Sequence, residues 1–451
     1  SRQCYYTARG ITHNAKDSSI SNHTPNIIPR SDHGISRTNI SENALKVLYR
    51  LNKAGYAAYL VGGAVRDLLL DRHPKDFDVA TDASPEEVHN LFRKSRVIGR
   101  RFRIVHVRYG RDIIEVTTFR DTLDDAHSDH AHQDDGGRLI RDNVYGGIDS
   151  DAWRRDLSVN ALFYNIKDFT LVDYVNGVED IQARRLRVIG DAETRYREDP
   201  VRMLRVARFA AKLDFTPDEA TLAPIADLAP YLDEIPSARL FDEVLKLFQK
   251  GHALRSFEVL REYDLFSYLF LQVEENLQED TTGYVEQFIR TGLQNTDERV
   301  NSGKSVNPAF LYAFLLWGIF REETELAGKS DMSTMVRAGQ DIFSAQVEQT
   351  AIPKRFSIQA REIWTLQPRF EQRRGKRPLR LLCHPRFRAA YDFLLLRNQS
   401  GEDLQELCDW WTEFQQSNEM QKDVTAQSDE LKRRPRKRPR RRKKSTPDSN
   451  G

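Results

Sequence analysis

The chain has 451 residues, of which 39% are hydrophobic and 30% are charged, and its formal net charge is +2. This length exceeds one ordinary hydrophobic core and predicts two to four domains. The three cysteines are few and scattered, which argues against a disulfide scaffold or a zinc site and for a reducing compartment. No apolar run approaches the roughly 20 residues of a membrane span, so no span is expected.

The small net charge conceals a strongly basic segment near the C-terminal end. Residues 432–444 contain eleven Lys or Arg and no acid, whereas the rest of the chain has a net charge of −9. Residues 421–451 show no apolar periodicity, and Pro435 and Pro439 interrupt the basic run, so we expect a disordered tail. A mildly acidic body with such a tail indicates a polyanionic partner.

The N-terminal part begins with polar residues 1–38, which predict a poorly ordered leader. Helical spacing from Ile40 to Leu51 then predicts a helix. In residues 57–70 an apolar run, the pair Gly62-Gly63 and a helical run predict a strand, a turn and a helix. This arrangement can bring backbone N–H groups to a phosphate, although a glycine pair is more commonly a plain tight turn.

Two acids follow in the segment Lys75–Val79, where polar and apolar residues alternate. Asp76 and Asp78 are two residues apart, and strand side chains alternate with period two, so we expect both carboxylates on one face of a strand. Such a pair can hold a divalent ion. The plainer interpretation is two solvated acids.

Further elements continue the mixed pattern. Ser84-Pro85 begins a predicted helix at 85–94, and the runs 103–109 and 113–119 predict a hairpin. Residues 121–138 contain three histidines among aspartates, but they lack apolar periodicity and favour a surface loop over a metal cluster. Helical spacing predicts a helix over 151–164, followed by short strand-like segments at 170–175 and 186–189.

From Asp191 onward the periodicity is almost wholly helical. The predicted helices cover residues 200–213, 218–228, 239–249, 252–263, 308–320 and 385–397. The fold class is therefore α+β, with a mixed α/β head followed by an all-helical remainder. The predicted parts are a leader (1–38), a head (39–175), a helical neck (176–270), a helical body (271–420) and the tail (421–451).

Two polar clusters could carry chemistry. In the predicted helix 151–164, Asp156 and Asn160 would share a face, although a surface helix with an internal ion pair explains them equally. Downstream, Asp199 and Arg202 flank the start of a helix. An acid beside an arginine offers an acceptor and donors to the edge of a base, whereas a local salt bridge is the simpler explanation.

Taken in order, these motifs resemble the class II nucleotidyltransferase superfamily, which contains bacterial poly(A) polymerases and tRNA CCA-adding enzymes. The motifs are Gly62-Gly63-Ala64-Val65-Arg66-Asp67, Asp76-Phe77-Asp78, Arg154-Arg155-Asp156 and Glu198-Asp199-Pro200-Val201-Arg202. Segments at 307–310, 352–355 and 384–392, together with the basic tail, look like the poly(A) polymerase branch. The resemblance implies a nucleotidyltransferase-type head, an RNA-binding body, and transfer of AMP from ATP to RNA 3′ ends with release of pyrophosphate, promoting RNA turnover.

The resemblance also implies roles for individual residues. Asp76 and Asp78 would hold two Mg²⁺ ions, with Mn²⁺ as an alternative, and Asp156 would complete the catalytic set. Glu115 is a further candidate metal ligand, with an exposed strand glutamate as the alternative. The residues implied in nucleotide binding are Gly62, Gly63, Arg66, Arg155, Asn160, Asp199, Arg202 and Arg205.

The basic tail is expected to contact RNA phosphates. Its predicted RNA-binding residues are Lys432, Arg433, Arg434, Arg436, Lys437, Arg438, Arg440, Arg441 and Arg442. Alternatives are docking of RNA-degradation or RNA-chaperone proteins, a nuclear import signal and a merely solubilising extension. The resemblance implies a bacterial cytoplasmic protein. Two other functions stay open, namely CTP and ATP addition to tRNA, and an RNA-binding scaffold that has lost catalysis.

Overall fold

The structure, a computed structural model, describes residues 24–99, 103–121, 132–133, 139–141, 145–326 and 331–417. It separates into two compact units, Ser1–Glu234 and Ile235–Gly451. Within the described residues every strand lies in the first unit, and the second unit is helical. The predicted α+β class, with strands in the head and helices after it, is confirmed. The finer division into head, neck and body stays a prediction.

The first unit is built on one large sheet. Its described strands are β1 (Asn26–Ile28), β2 (Ala58–Val61), β3 (Asp78–Thr81), β4 (Ser95–Ile98), β5 (Ile104–Tyr109), β6 (Asp112–Thr118), β9 (Leu162–Asn165) and β10 (Leu171–Asp173). They lie in the order β1-β10-β9-β2-β3-β6-β5-β4. Only β3 and β6 are parallel neighbours, and the other pairs are antiparallel. Two small sheets are formed by β7 (His132–Gln133) with β8 (Leu139–Arg141) and by β11 (Arg185–Leu186) with β12 (Thr216–Pro217).

The helices of the first unit cover and connect this sheet. They are α1 (Glu42–Lys53), α2 (Gly63–Leu69), α3 (Pro85–Leu91), α4 (Ile148–Trp153), α5 (Gly177–Gln182), α6 (Ala192–Glu198), α7 (Val201–Leu213), α8 (Glu219–Leu222) and α9 (Ile225–Leu228). Helix α1 packs against β2, β3 and β6. Helix α3 begins with the expected capping box between Ser84 and Glu87. The predicted strand–turn–helix at 57–70 and the hairpin of β5 and β6 are confirmed.

The helix predicted over 151–164 is wrong. Helix α4 ends at Trp153, a 3₁₀ turn covers Ser158–Asn160, and residues 162–165 form β9 in the interior of the sheet. Because β9 pairs with both β2 and β10, its side chains are buried by neighbours that are distant in sequence. Tertiary pairing therefore overrides the local helical spacing. Asp156 and Asn160 consequently do not share a helix face.

Three other predictions need correction. Part of the predicted leader is ordered, since residues 26–28 pair with β10 as an edge strand; residues 1–23 lie outside the described residues. Asp76 precedes the strand, because β3 begins only at Asp78. In the predicted loop 121–138, residues 132–133 form β7, while 122–131 and 134–138 are not among the described residues.

The second unit is an array of helices. They are α10 (Ser237–Phe248), α11 (Ala253–Glu262), α12 (Leu271–Glu279), α13 (Tyr284–Asn301), α14 (Pro308–Leu315), α15 (Trp317–Leu326), α16 (Met332–Gln349), α17 (Lys354–Leu366), α18 (Arg377–Leu382) and α19 (Phe387–Gln399). The helices predicted at 218–228 and 308–320 are each divided in two. In the part of the chain that the structure describes, no helix is both long and apolar enough to cross a bilayer.

Candidate active site

The first part of the site is the turn between β2 and α2. Gly62 has φ +69° and ψ −135°, a conformation that side chains other than glycine rarely adopt. A Cβ placed on Gly62 would lie 3.5 Å from Nη1 of Arg155. Glycine thus permits the turn and lets an arginine approach its backbone. The sequence correctly predicts this turn, and the resemblance implies nucleotide binding for both Gly62 and Arg155. Neither reveals that the two residues are in contact.

The carboxylates lie beside this turn, in the centre of the sheet. Asp78 opposes Val61 on β2 and Glu115 on β6, so the side chains of Asp78 and Glu115 point to the same face. Burial, the charge of Glu115 and the charge of Asp76 raise the pKa of Asp78 to about 6, although Arg155 acts in the opposite direction. Asp76 itself is exposed and lies just before β3. This cluster therefore has an excess of negative charge.

Arg155 is held in place by an acid that the sequence interpretation missed. Asp151 on α4 is fully buried and accepts hydrogen bonds from Nη2 of Arg155 at 2.8 Å and Nη2 of Arg154 at 2.8 Å. Arg155 also packs on the ring of Phe163, 5.0 Å from its centroid. The spacing of Asp151 three and four residues before two arginines is a local signal that could have identified it.

Arg66 and Asn160 contact each other. The Nη1 of Arg66 donates to Oδ1 of Asn160 at 2.5 Å, and its Nη2 donates to Asp67 at 2.6 Å. Arg66 is only 1% exposed, and its guanidinium lies over the ring of Phe209. These contacts join α2 to the 3₁₀ turn before β9 and to α7. Arg66 therefore lies where it can orient the glycine turn, and little of it is open to a ligand.

Asp156 lies in a second, strongly basic cluster. It accepts from Nε of Arg202 at 3.1 Å and pairs with Nη2 of Arg205 at 2.5 Å, both on α7. Burial alone would raise the pKa of Asp156, but Arg205 and Arg202 outweigh it and lower this pKa below its ordinary value. The pKa of Asp78 is instead shifted by the charges of Glu115, Arg155 and Asp76. The structure thus groups Asp156 with Arg202 and Arg205, two of the residues implied in nucleotide binding.

Arg195 and Glu198 connect the two clusters. Glu198 accepts from Arg195 at 2.9 Å and from Arg202 at 2.7 Å. The Nη2 of Arg195 donates to the backbone carbonyls of Arg154 at 2.6 Å and Arg155 at 3.0 Å. The turn that carries Arg155 and Asp156 is therefore tied to the start of α7. The sequence showed Glu198 only as part of a motif and gave no sign of Arg195.

Asp199 and the tail complete the set of predicted residues. Asp199 ends α6, and its Oδ1 accepts from the backbone N–H of Val201 at 3.3 Å. Asp199 and Arg202 therefore flank the junction of α6 and α7, as the motif suggested. The nine predicted RNA-binding residues between 432 and 442 lie outside the described residues.

Family models match three parts of this chain. Residues 58–187 match the poly A polymerase head domain, residues 214–277 match the "probable RNA and SrmB- binding site of polymerase A", and residues 327–445 match the polymerase A arginine-rich C-terminus. The poly(A) polymerase I of Salmonella typhi is 50% identical over 399 residues, which are 87% of this chain and 86% of that protein. The chain belongs to the bacterial poly(A) polymerase family.

The likeness to CCA-adding enzymes is more distant. The CCA-adding enzyme of Lactobacillus helveticus is 39% identical, but over only 49% of this chain and 53% of its own length. The crystal structure of the Bacillus stearothermophilus CCA-adding enzyme in complex with CTP matches with a TM-score of 0.55 and 26% identity, covering 82% of this chain and 80% of that one. This chain thus shares its fold with that CCA-adding enzyme.

Proposed function

We propose that this chain is a polynucleotide adenylyltransferase that adds AMP from ATP to the 3′ end of RNA without a template. The 3′-oxygen of the RNA attacks the α-phosphorus of ATP, the bond from that phosphorus to the bridging oxygen breaks, and pyrophosphate leaves. The observation that carries the proposal is the Asp78–Glu115 carboxylate pair beside the Gly62 turn and Arg155, in a chain that matches poly(A) polymerases over most of its length.

The carboxylate cluster fits a divalent cation. Burial and the negative charges of Glu115 and Asp76 keep the pKa of Asp78 at about 6, and hard oxygen donors suit Mg²⁺ or Mn²⁺. Within the described ranges no group of three or more Asp, Glu, His or Cys is arranged to hold an ion. Mg²⁺ sites in enzymes that act on phosphates commonly use one or two carboxylates together with the substrate phosphates. Asp76 and Asp78 would hold the ions, which supply positive charge to the reacting phosphate and the attacking oxygen.

The chain's own residues position the triphosphate. Arg155 has a guanidinium already fixed by Asp151, so it loses little freedom when it contacts a phosphate. Backbone N–H groups at the start of α2, after the Gly62 turn, would donate to phosphate oxygens. Arg66 supports this turn through its hydrogen bond to Asn160. We therefore assign phosphate contact to Arg155 and a positioning role to Arg66 and Asn160.

Base reading is assigned to the junction of α6 and α7. Arg202 is 7% exposed and is bound to Asp156, Glu198 and the carbonyl of Arg195. Arg205 has a more exposed side chain, at 37%, and Asp199 lies at the same junction. Hydrogen-bonding groups that are fixed before binding can distinguish one base from another. Arg205 and Asp199 would face adenine, while Arg202 holds Asp156 and Glu198 in place.

The remaining parts of the proposal concern RNA and location. The basic residues 432–442 would bind RNA phosphates, with RNA-degradation or RNA-chaperone proteins as candidate partners. A cytoplasmic location in a bacterium follows because both substrates, ATP and RNA, occur there. Cys383 and Cys408 are both free thiols, which fits a reducing compartment.

An extension assay tests this function. The full-length chain is incubated with a short RNA primer, Mg²⁺ and one labelled nucleotide at a time, with Asp78→Asn as the inactive control. We expect long product ladders from ATP alone. Products that stop after a few additions and require CTP would instead assign the chain to tRNA CCA addition. No extension with any nucleotide would favour the RNA-binding scaffold.

A further inference from the structure

A dense basic turn lies in the second unit, apart from the predicted RNA-binding tail. Residues 369–380 contain six Lys or Arg and one acid, whereas the rest of the predicted body, residues 271–420, contains 12 basic and 21 acidic residues. The basic residues of this turn are Arg369, Arg373, Arg374, Lys376, Arg377 and Arg380. Positive charge is thus concentrated in one short segment of an otherwise acidic region.

Buried residues fix both ends of this basic turn. Phe370 is fully buried, it packs against Trp411 with a centroid distance of 5.1 Å, and its carbonyl accepts from the indole N–H of Trp411 at 2.9 Å. At the other end, Pro378 and Leu381 are buried near the start and near the end of α18. Residues 371–377 between these anchors are all exposed. The basic side chains therefore project into solvent from a well-anchored segment.

Most of these cations have no acidic partner within the protein. Arg373 pairs with Glu406 at 2.7 Å. Among the residues that the structure describes, no carboxylate pairs with Arg374, Lys376, Arg377 or Arg380. Like charges held close together repel one another, so this arrangement does not stabilise the fold. Such a concentration of uncompensated charge is typical of a surface that receives an external anion.

The chemistry of the basic turn favours RNA over an acidic protein. Its one exposed large hydrophobic side chain is Leu379, at 47% exposure, whereas stable protein interfaces have an apolar, often aromatic, centre. An RNA backbone needs only cations that can follow a line of phosphates. We propose that the basic turn binds the phosphate backbone of the RNA substrate, separately from the tail. This inference rests on the proposed function, because RNA is taken as the substrate.

A charge-neutral variant in the full-length chain tests the proposal. The test variant carries Arg374→Gln, Lys376→Gln, Arg377→Gln and Arg380→Gln. The control removes four exposed cations of the same unit through Lys250→Gln, Arg255→Gln, Lys304→Gln and Arg337→Gln, so both variants lose the same charge. Affinity for a single-stranded RNA oligonucleotide is measured at several salt concentrations, and thermal unfolding checks that both variants fold.

We expect the test variant to bind RNA at least about tenfold more weakly at low salt, and the slope of log affinity against log salt to fall by about 2 to 3, since each lost phosphate contact removes about 0.7. The control should change neither value by a comparable amount. Unchanged binding in the test variant, or equal losses in both variants, would overturn the proposal. Retained RNA affinity with lost binding to an acidic protein would assign the turn to a protein partner and would overturn it as well.

The same preparations keep this inference distinct from the proposed function. At saturating primer, the test variant should still add AMP at the wild-type rate for a single addition, because its changes lie outside the catalytic cluster. If the wild-type chain added no AMP but the test variant lost RNA affinity, the adenylyltransferase assignment would fail while the basic turn would remain an RNA site. If AMP addition were normal and RNA affinity unchanged, only the basic turn would be refuted.

Discussion

The first unit contains two acidic centres with opposite electrostatic character. At the sheet, burial and the charges of Glu115 and Asp76 raise the pKa of Asp78 to about 6. In the turn after α4, burial also acts on Asp156, but Arg205 and Arg202 of α7 outweigh it and the pKa of Asp156 is lowered. A carboxylate whose negative charge is not balanced by nearby cations attracts a cation from outside the protein. A carboxylate that is already paired with arginines holds those arginines in place. This difference underlies our proposal that the first centre receives metal and the second organises recognition.

The largest expected effect comes from Asp78→Asn. Loss of this carboxylate should reduce AMP addition by about 10³-fold or more, because charge stabilisation at the reacting phosphate is lost. The same variant should be more stable without metal. The folded-state pKa of Asp78 lies above its unfolded value of 3.8, so ionisation costs stability as pH rises through about 6. At pH 7.5 the gain should reach about 3 kcal/mol.

Urea unfolding with a chelator present measures this gain. It should be full at pH 7.5 and vanish below about pH 4, where the carboxyl of Asp78 is protonated in both folded and unfolded chains. The exposed Asp227→Asn serves as the matched control and should change neither activity nor stability. Full polymerisation by Asp78→Asn would refute its place at the catalytic centre.

Asp156→Asn should have the opposite effect on stability. The change leaves the buried guanidinium of Arg202 with one acidic partner fewer, and breaking such a pair costs about 3 kcal/mol. Because the folded-state pKa of Asp156 is lowered, its contribution is present above its ordinary pKa of 3.8 and is lost as pH falls through the folded value. At neutral pH the urea midpoint should therefore drop.

The activity of Asp156→Asn separates recognition from chemistry. We expect AMP addition to fall by about 100-fold and discrimination between ATP and CTP to weaken, since Arg202 and Arg205 would no longer be fixed. Measuring kcat/KM for both nucleotides checks this prediction. A loss of rate with unchanged discrimination would instead place Asp156 with the catalytic carboxylates.

Glu115→Gln should give the smallest effect, and it tests whether Glu115 belongs to the proposed metal centre. After burial, the negative charge of Glu115 is the largest cause of the raised pKa of Asp78. If Glu115 helps to hold the cation, the variant should lose about tenfold in rate at low Mg²⁺ and recover at high Mg²⁺. The Mg²⁺ dependence of initial rates measures this. An unchanged dependence would leave Glu115 as a strand residue that contacts His106, whose Nε2 lies 3.2 Å from Oε1 of Glu115.

The sequence predicts the local elements of the site well, because glycine and proline signals act over a few residues. The turn at Gly62, the hairpin of β5 and β6, and the helix that follows Pro200 all form as expected. The opposition of Asp78 and Glu115 could not be read locally, because it depends on the parallel pairing of two strands that lie 37 positions apart. That register makes Glu115 a stronger candidate metal ligand than its sequence context alone suggested.

The errors arise where long-range contacts override a local pattern. Residues 162–165 have helical spacing with the residues before them, yet two neighbouring strands take them into the sheet. The guanidinium of Arg66 has the chemistry of a phosphate ligand, yet Asn160, Asp67 and Phe209 enclose it. The role of Arg195 in holding the turn of Arg155 could not be predicted, because it depends on two backbone carbonyls about 40 residues away. Such roles depend on the fold and not on residue type.

The most direct measurement is divalent-cation binding by the full-length chain in the presence of ATP, compared among the wild type, Asp78→Asn and Asp156→Asn. Calorimetric titration with Mg²⁺, or spectroscopic titration with Mn²⁺, reports occupancy independently of turnover. We predict that Asp78→Asn abolishes specific binding and that Asp156→Asn retains it. Equal loss in both variants, or wild-type binding by Asp78→Asn, would contradict the division into a metal centre and a recognition centre.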